Sequence, residues 1–302
     1  MKNKQKFLHH IAMPNRIMAP FQYFGGKGNL AKQIVPLLPK GKVYVEPFCG
    51  AASVYWHLPD GAYPNVVLND IDQNIYNLFK VLQDRKLFED FWHKVVWTPY
   101  SLDMFRDAMN YDSDDPVHRA WAFYVRQNQG FGGKAKSESE CYWGKTFVSA
   151  RNMADTSNSW RGRMKLLIWW HDRLTKVQID NRDALQVIEY WDTSETVFYV
   201  DPPYMQETRK SGEYEYEIDN NYHKKLLELL KNIKGKVVLS GYNSDLYNDM
   251  LSDWQKIEIH TYCHAAGRVR TSNLLCKGNA PKRTEVIWMN FCKNKQKSLL
   301  TI

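Results

Sequence analysis

The stretch VFYVDPPY, Val197 to Tyr204, ends an apolar run in a carboxylate, two prolines and an aromatic ring. Asp201 is a hydrogen-bond acceptor and the carbonyl of Pro202 is another, while Pro202 and Pro203 fix their own backbone angles and bring no competing N–H. Two adjacent acceptors can take both hydrogens of an exocyclic amine. The ring of Tyr204 can lie on the face of a planar base, as in enzymes that act on a base drawn out of its stack. These residue types therefore suit a heteroaromatic amine. A proline turn after a strand would account for Pro-Pro alone, but not for the acid and the ring that flank it.

A second set of residues has the spacing of a nucleoside site. EPFCGAAS, Glu46 to Ser53, is a small-residue turn directly after a short apolar run, and Asp70 lies twenty residues beyond Gly50. That is the spacing at which an acid grips ribose hydroxyls. With a single glycine the turn does not suit a pyrophosphate, so an adenosine group without phosphates fits better; a plain tight turn is the competing reading. Upstream, FQYFGGKGNL (Phe21 to Leu30) sets a glycine pair between an aromatic residue and Lys27. The P-loop spacing is missing, which excludes a nucleoside triphosphatase of that type.

Such groups need a scaffold that brings them to one edge. Short apolar runs predict strands over 42–45, from Asn65, and over 176–180, 197–200, 236–240, 256–262 and 284–291, alternating with helical stretches. This is the pattern of a mostly parallel sheet covered by helices. Residues 74–92 read as helical, and NYHKKLLELLKNIKG places Leu226, Leu227, Leu230 and Ile233 on one helix face with Gly235 as the stop. From about Asp84 to Lys176 no clean buried strand appears, which marks a candidate insert. Ligands of open α/β sheets bind beyond the carboxyl ends of the strands, where Glu46, Asp70 and Asp201 are expected.

The formal net charge is +8, and both ends are basic: residues 1–42 carry eight Lys or Arg and no acid, and residues 256–302 carry nine against two acids. Residues 126–176 hold ten Lys or Arg against four acids, interleaved with Tyr142, Trp143, Trp160, Trp169 and Trp170. That mixture fits contact with phosphates and bases, and equally a solvated face over ordinary core aromatics. Cys49, Cys141, Cys263, Cys276 and Cys292 show no CxxC spacing, so neither a zinc cluster nor a disulfide framework is expected, and none of them follows a proline. His9 and His10 read as surface residues of a basic arm, and no metal is expected. No apolar run is long enough for a membrane span, and the first twenty residues lack a secretory segment, so a cytoplasmic protein of a bacterium or a phage-infected cell is expected.

In chain order, YFGGK (23–27), VEPFCGAAS (45–53), LND (68–70), NRDAL (181–185) and DPPY (201–204) resemble the motifs of Dam-type, alpha-group adenine-specific DNA methyltransferases. LSGYNSDLY (239–247) and RTEVIWMNF (283–291) are similar to phage and prophage members. The resemblance implies an α/β fold, a Rossmann-like S-adenosylmethionine-dependent methyltransferase sheet with an inserted, mostly helical DNA-recognition domain. It implies a division into 14–84 and 176–295 for the methyltransferase domain, 85–175 for the target-recognition insert, and basic termini at 1–13 and 296–302. It implies S-adenosylmethionine as cofactor, bordered by Tyr23, Phe24, Lys27, Glu46, Phe48, Gly50, Asp70, Asp183 and Asp201, with Asp70 on the ribose and Asp183 near the adenine amine of the donor. Asp201, Pro202, Pro203 and Tyr204 would then hold a target adenine in double-stranded DNA, and a cognate restriction nuclease would be a candidate partner.

Two departures stand out. Ala52 occupies a position where many relatives have glycine, and RQNQGFGGK (126–134) follows the recognition segment only loosely, with Arg126, Asn128 and Lys134 as candidate DNA contacts. The basic segment 264–283 offers Arg268, Arg270, Lys277 and Lys282 for phosphates, or a solvated hairpin. The rival readings are amino methylation of cytosine, a glutamine or RNA methyltransferase, and a non-catalytic DNA-binding protein with a methyltransferase-like core.

Overall fold

A computed structural model of the protein describes residues 14–23, 25–130, 143–144, 155–205, 218–262 and 282–292. Its centre is a seven-stranded sheet made of β1 (Val43–Glu46), β2 (Asn65–Asn69), β3 (Val177–Asp180), β4 (Thr196–Val200), β5 (Lys236–Gly241), β6 (Gln255–Tyr262) and β7 (Lys282–Met289). The strand order is β3-β2-β1-β4-β5-β7-β6. The first five strands run parallel, and β7 lies antiparallel between β5 and β6. The chain winds outward from β1 to β3, then returns to the other side of β1 to begin β4. The crevice where winding reverses therefore opens between the carboxyl ends of β1 and β4, beside Glu46 and Asp201.

Strand alternation divides the core into two layers. In β4, Val197 and Tyr199 join one hydrophobic cluster and Phe198 and Val200 the other, as a side-chain period of two requires. The second layer is closed by α9 (Ala184–Trp191), α10 (Asn220–Asn232) and α11 (Asp245–Met250) through residues such as Ile188, Leu226, Leu230 and Tyr247. The first is closed by α1 (Ala31–Ile34), α2 (Ser53–His57) and α3 (Gln73–Gln83), and by the helices of the 85–175 segment: α4 (Arg85–Val96), α5 (Leu102–Met109), α6 (Pro116–Gln129), α7 (Asp155–Met164) and α8 (Leu167–Leu174). Phe91, Tyr124 and Trp170 of that segment belong to the same continuous cluster as Tyr44 and Leu68 of the sheet.

The helical reading of 74–92 holds with one break. Asp84 adopts an extended backbone (φ −73°, ψ 125°), ends α3 and caps α4 by accepting from the N–H of Leu87 at 2.9 Å. A side-chain acceptor at a helix start competes with helix continuation. Three aromatics of the basic stretch are core rather than base-stacking surface: Trp160 is 1%, Trp169 4% and Trp170 0% exposed, while Trp143 is half-buried and Tyr142 lies outside the described residues. Arg173 of the same stretch is also buried, donating to the carbonyls of Leu58 and Tyr55 at 3.1 and 3.3 Å with its guanidinium 4.8 Å from the Tyr55 ring.

Candidate active site

Three strand ends deliver carboxylates to one cavity of about 430 Å³. Glu46 ends β1, Asp70 follows β2 and Asp201 follows β4; Asp183 reaches the same wall as the first residue before α9, accepting from the N–H of Leu185 at 2.9 Å through Oδ1. Tyr23, Lys27, Phe48, Gly50 and Pro203 also line it. Glu46, Asp70, Asp183, Asp201 and Pro203 are thus brought together, whereas Pro202 is buried and is not among the lining residues. Phe24 lies outside the described residues.

The turn after β1 is held by an acid far along the chain. Asp70 accepts from the N–H of Gly50 at 2.8 Å and from the N–H of Asp72 at 3.0 Å. Buried Asn69 fastens three loops, donating to the carbonyls of Pro47 and Arg182 at 2.8 and 3.1 Å and accepting from the N–H of Arg182 at 2.9 Å. Gly50 has φ +49°, and a Cβ there would come within 2.9 Å of the Tyr23 ring. Ala52 is left-handed as well, at φ 53°, the conformation for which glycine is the usual residue. Gly50→Ala is expected to destabilise the protein by about 1–2 kcal/mol from the backbone alone and to displace Tyr23 from the cavity wall. Ala52→Gly is expected to be nearly neutral, because relief of that same strain is offset by the lost buried methyl, about 0.8 kcal/mol, and by chain entropy. Urea unfolding of the two variants measures the contrast.

Burial shifts the acids upward. It raises the Glu46 carboxyl to about 8, aided by the nearby Asp201 charge and opposed by donation from the Tyr44 hydroxyl (2.7 Å) and the N–H of Tyr55 (2.9 Å), both onto Oε1. Burial raises Asp70 to about 6 against its two N–H donors. Asp201 is also raised by burial, with Lys27 pulling it back. The Lys27 ammonium lies 2.8 Å from Asp201 Oδ1 and 3.5 Å from Glu285 Oε1, and it is 5% exposed. Both recorded bonds to Asp201, from Lys27 and from the Tyr204 hydroxyl (3.2 Å), fall on Oδ1. Oδ2 is the oxygen left for a ligand in the cavity that Asp201 lines.

Tyr204 departs from the expected arrangement. Its ring is 6% exposed and is not among the residues lining the cavity; the Lys27 ammonium sits 4.6 Å from its centroid and Tyr242 meets it edge-on at 4.5 Å. Its hydroxyl lies within hydrogen-bonding distance of Asp201 and of Glu285, with one proton to give to either. Two further site residues escaped sequence reasoning. Glu285 of β7 is 5% exposed and faces Lys27 across the sheet; a lone carboxylate within the apolar run of TEVIWM was its signal. Tyr222 of α10 donates to Asp183 Oδ2 at 2.9 Å and lines the cavity.

The expected DNA contacts fall elsewhere. Asn128 is 3% exposed with its amide donating to the carbonyl of Pro20 at 3.1 Å, which corrects its reading as a DNA contact: the side chain ties α6 to the chain before α1. Arg126 is half-buried and donates to the carbonyl of Ala108 at 2.8 Å, joining α6 to the end of α5. Lys134, Arg268, Arg270 and Lys277 lie outside the described residues, and Lys282 opens β7 with its side chain likewise outside them. Among the described residues no cluster of three or more His, Cys, Asp or Glu could hold a metal ion, and no helix is long and apolar enough to cross a membrane.

Residues 23–264 match the family model of the D12 class N6 adenine-specific DNA methyltransferases. The chain belongs to that family. Within this methyltransferase family it is similar to the DNA N-6-adenine-methyltransferase of Escherichia phage P1, at 30% identity over 122 residues, covering 37% of this chain and 15% of that protein. The DNA adenine methylase of Serratia marcescens is 29% identical over 196 residues, 61% of this chain and 65% of its own. The DNA adenine methylase of Escherichia coli (strain K12) is 32% identical over 120 residues, 37% and 41%. The chain thus spans less than two thirds of the length of each of these relatives. The mostly parallel seven-stranded sheet is the one expected for this family, and the matched region contains every cavity-lining carboxylate.

Proposed function

We propose that this chain methylates the exocyclic N6 amine of adenine in double-stranded DNA, with S-adenosylmethionine as donor. The observation that carries the reading is that Asp201, whose bonds to Lys27 and Tyr204 both use Oδ1, lines a cavity at the β1/β4 crevice in which acids outnumber bases. Five carboxylates line it, Glu46, Asp70, Asp183, Asp201 and Asp219, against Lys27 and Arg182. Both cations are engaged, Lys27 by Asp201 and Arg182 by Asp180. Such a wall repels phosphates and suits a cationic nucleoside.

S-Adenosylmethionine, when bound, supplies a methyl group activated by a positively charged sulfur. Glu46 would take positive charge on the donor, Asp70 a ribose hydroxyl, and Asp183, steadied by Tyr222, the adenine amine. Asp201 and the carbonyl of Pro202 would accept from the two N–H bonds of the target amine. An adenine amine is a poor nucleophile because its lone pair is delocalised into the ring, and those bonds favour the pyramidal nitrogen that attack requires. The Asp201 charge then stabilises the positive charge growing on that nitrogen. Stacking by Tyr204 would require its ring to leave Lys27 and Tyr242. Arg126 and Lys134 remain proposed DNA contacts, and Arg268, Arg270, Lys277 and Lys282 proposed phosphate contacts.

DNA incubated with the protein and labelled donor, digested to nucleosides and resolved by mass spectrometry, is expected to yield N6-methyladenine. N4-methylcytosine would replace this reading with amino methylation of cytosine, and DNA binding with no methylated product would replace it with a binding role. The acids add a pH dependence. Below about pH 8 Glu46 is protonated in the free protein, so a cation that binds its ionised form must release a proton. Donor affinity is therefore expected to rise with pH and level off above about 8, and calorimetry at pH 7 in buffers of different ionisation heat should detect net proton release. Proton-neutral binding would show that Glu46 does not face the charge.

A further inference from the structure

The Lys27 ammonium has two carboxylate neighbours in a nearly closed site. Its distances to Asp201 Oδ1 and Glu285 Oε1 are 2.8 and 3.5 Å, and a third bond goes to the carbonyl of Gly25 at 3.1 Å. Beneath it lies the Tyr204 ring, whose hydroxyl bridges the same two carboxylates through the same two oxygens. One cation shared by two acids leaves one negative charge uncompensated. Burial disfavours that charge, and it is the first cause of the upward shifts at both Asp201 and Glu285.

The proposed chemistry makes a conflicting demand on Asp201. Its charge must be directed at the target amine, yet a full ion pair with Lys27 cancels much of that charge at the moment it is needed. The conflict is resolved if Lys27 can transfer to another anion nearby. Glu285 stands at the right place: β7 lies beside β5 in the sheet, and its carboxylate reaches the same ammonium that Asp201 holds.

We propose that Glu285 is a positioning residue that gives the Lys27 ammonium a second seat, drawing it off Asp201 when a base amine takes Asp201 as its acceptor. This rests on the methyl-transfer reading above. The charged and titratable groups around Asp201 are Lys27 before α1, Glu46 on β1, Tyr199 on β4, Tyr204 in its own turn, Tyr247 on α11 and Glu285 on β7. Of these, Glu285 is the acid that shares the Lys27 ammonium with Asp201.

Carboxyl carbon NMR titration of the ligand-free wild-type protein should show Asp201 and Glu285 titrating as a coupled pair, each curve carrying both steps. Independent single-step curves would overturn the shared cation without any variant being made. In Glu285→Gln the Asp201 curve should become single and move to lower pH, since a like charge is gone and the ammonium is undivided. Single-turnover methyl transfer to DNA should fall by about tenfold or more, its acid limb moving down in pH, while donor affinity measured by calorimetry stays the same. Tyr204→Phe should move Asp201 the other way, to higher pH, because it removes a donor to the carboxylate. A wild-type transfer rate and an unshifted Asp201 in Glu285→Gln would overturn the role assigned to Glu285. Failure of the wild-type protein itself to make methyladenine would overturn the functional reading instead, and with it this inference, even with the coupled titration present.

Discussion

Asp201→Ala is expected to lower methyl transfer by about 10²–10³-fold or more, with donor affinity above about pH 8, where Glu46 is ionised, little changed. The reason is local. Asp201 supplies the charge beside the proposed reacting amine, whereas the donor would be held chiefly by Glu46, Asp70 and Asp183 on other strand ends. The variant should fold, because Lys27 keeps Glu285 at 3.5 Å and the Gly25 carbonyl at 3.1 Å. Tritium transfer under single-turnover conditions, beside calorimetry of donor binding, separates the two effects. A third readout follows from electrostatics. The Asp201 charge helps to raise Glu46, so in Asp201→Ala the pH at which donor affinity levels off should move down. Transfer within a few-fold of wild type would remove Asp201 from the chemistry.

The parts of this site that are local in sequence were legible there. Apolar runs bounded by turns gave the strands to within a few residues, and the twenty-residue step from Gly50 to Asp70 appears as an N–H···O bond of 2.8 Å. DPPY could be read as acceptors at a sheet edge because a strand buried on both faces can end in polar groups only where it leaves the core. What failed depended on neighbours distant in sequence. Tyr204 reads as a free ring until β7 is placed against β5, which brings Glu285 to its hydroxyl. Asn128 reads as a polar donor for DNA until α6 is packed and its amide is needed by the Pro20 carbonyl. Trp160, Trp169 and Trp170 alternate with charges in a way that suits either nucleic acid or core, and only the packing of α7 and α8 against α3 and α6 decides for core. Tyr222 had no signal at all, because its bond to Asp183 joins the starts of two different helices.

Lys27→Met is expected to cost about 3–5 kcal/mol near neutral pH, because it breaks a buried ion pair by removing one partner. Methionine retains much of the stem but loses the ammonium over the Tyr204 ring, so the loss is chiefly one of charge. Asp201 and Glu285 would then face each other, with the Tyr204 hydroxyl as their common donor. Both carboxyls are already raised by burial, and in both Lys27 acts to lower them; without it their folded-state values rise further above the unfolded ones. A raised carboxyl contributes stability that is present below its unfolded value and is lost as pH rises toward its folded value. The deficit of Lys27→Met against wild type should therefore be largest at neutral and higher pH and shrink as pH falls toward the ordinary carboxylate range. Urea unfolding of both proteins across that range measures it. A deficit of constant size would mean that the lysine contributes packing alone, and the shared cation on which the positioning of Asp201 depends would have no energetic basis.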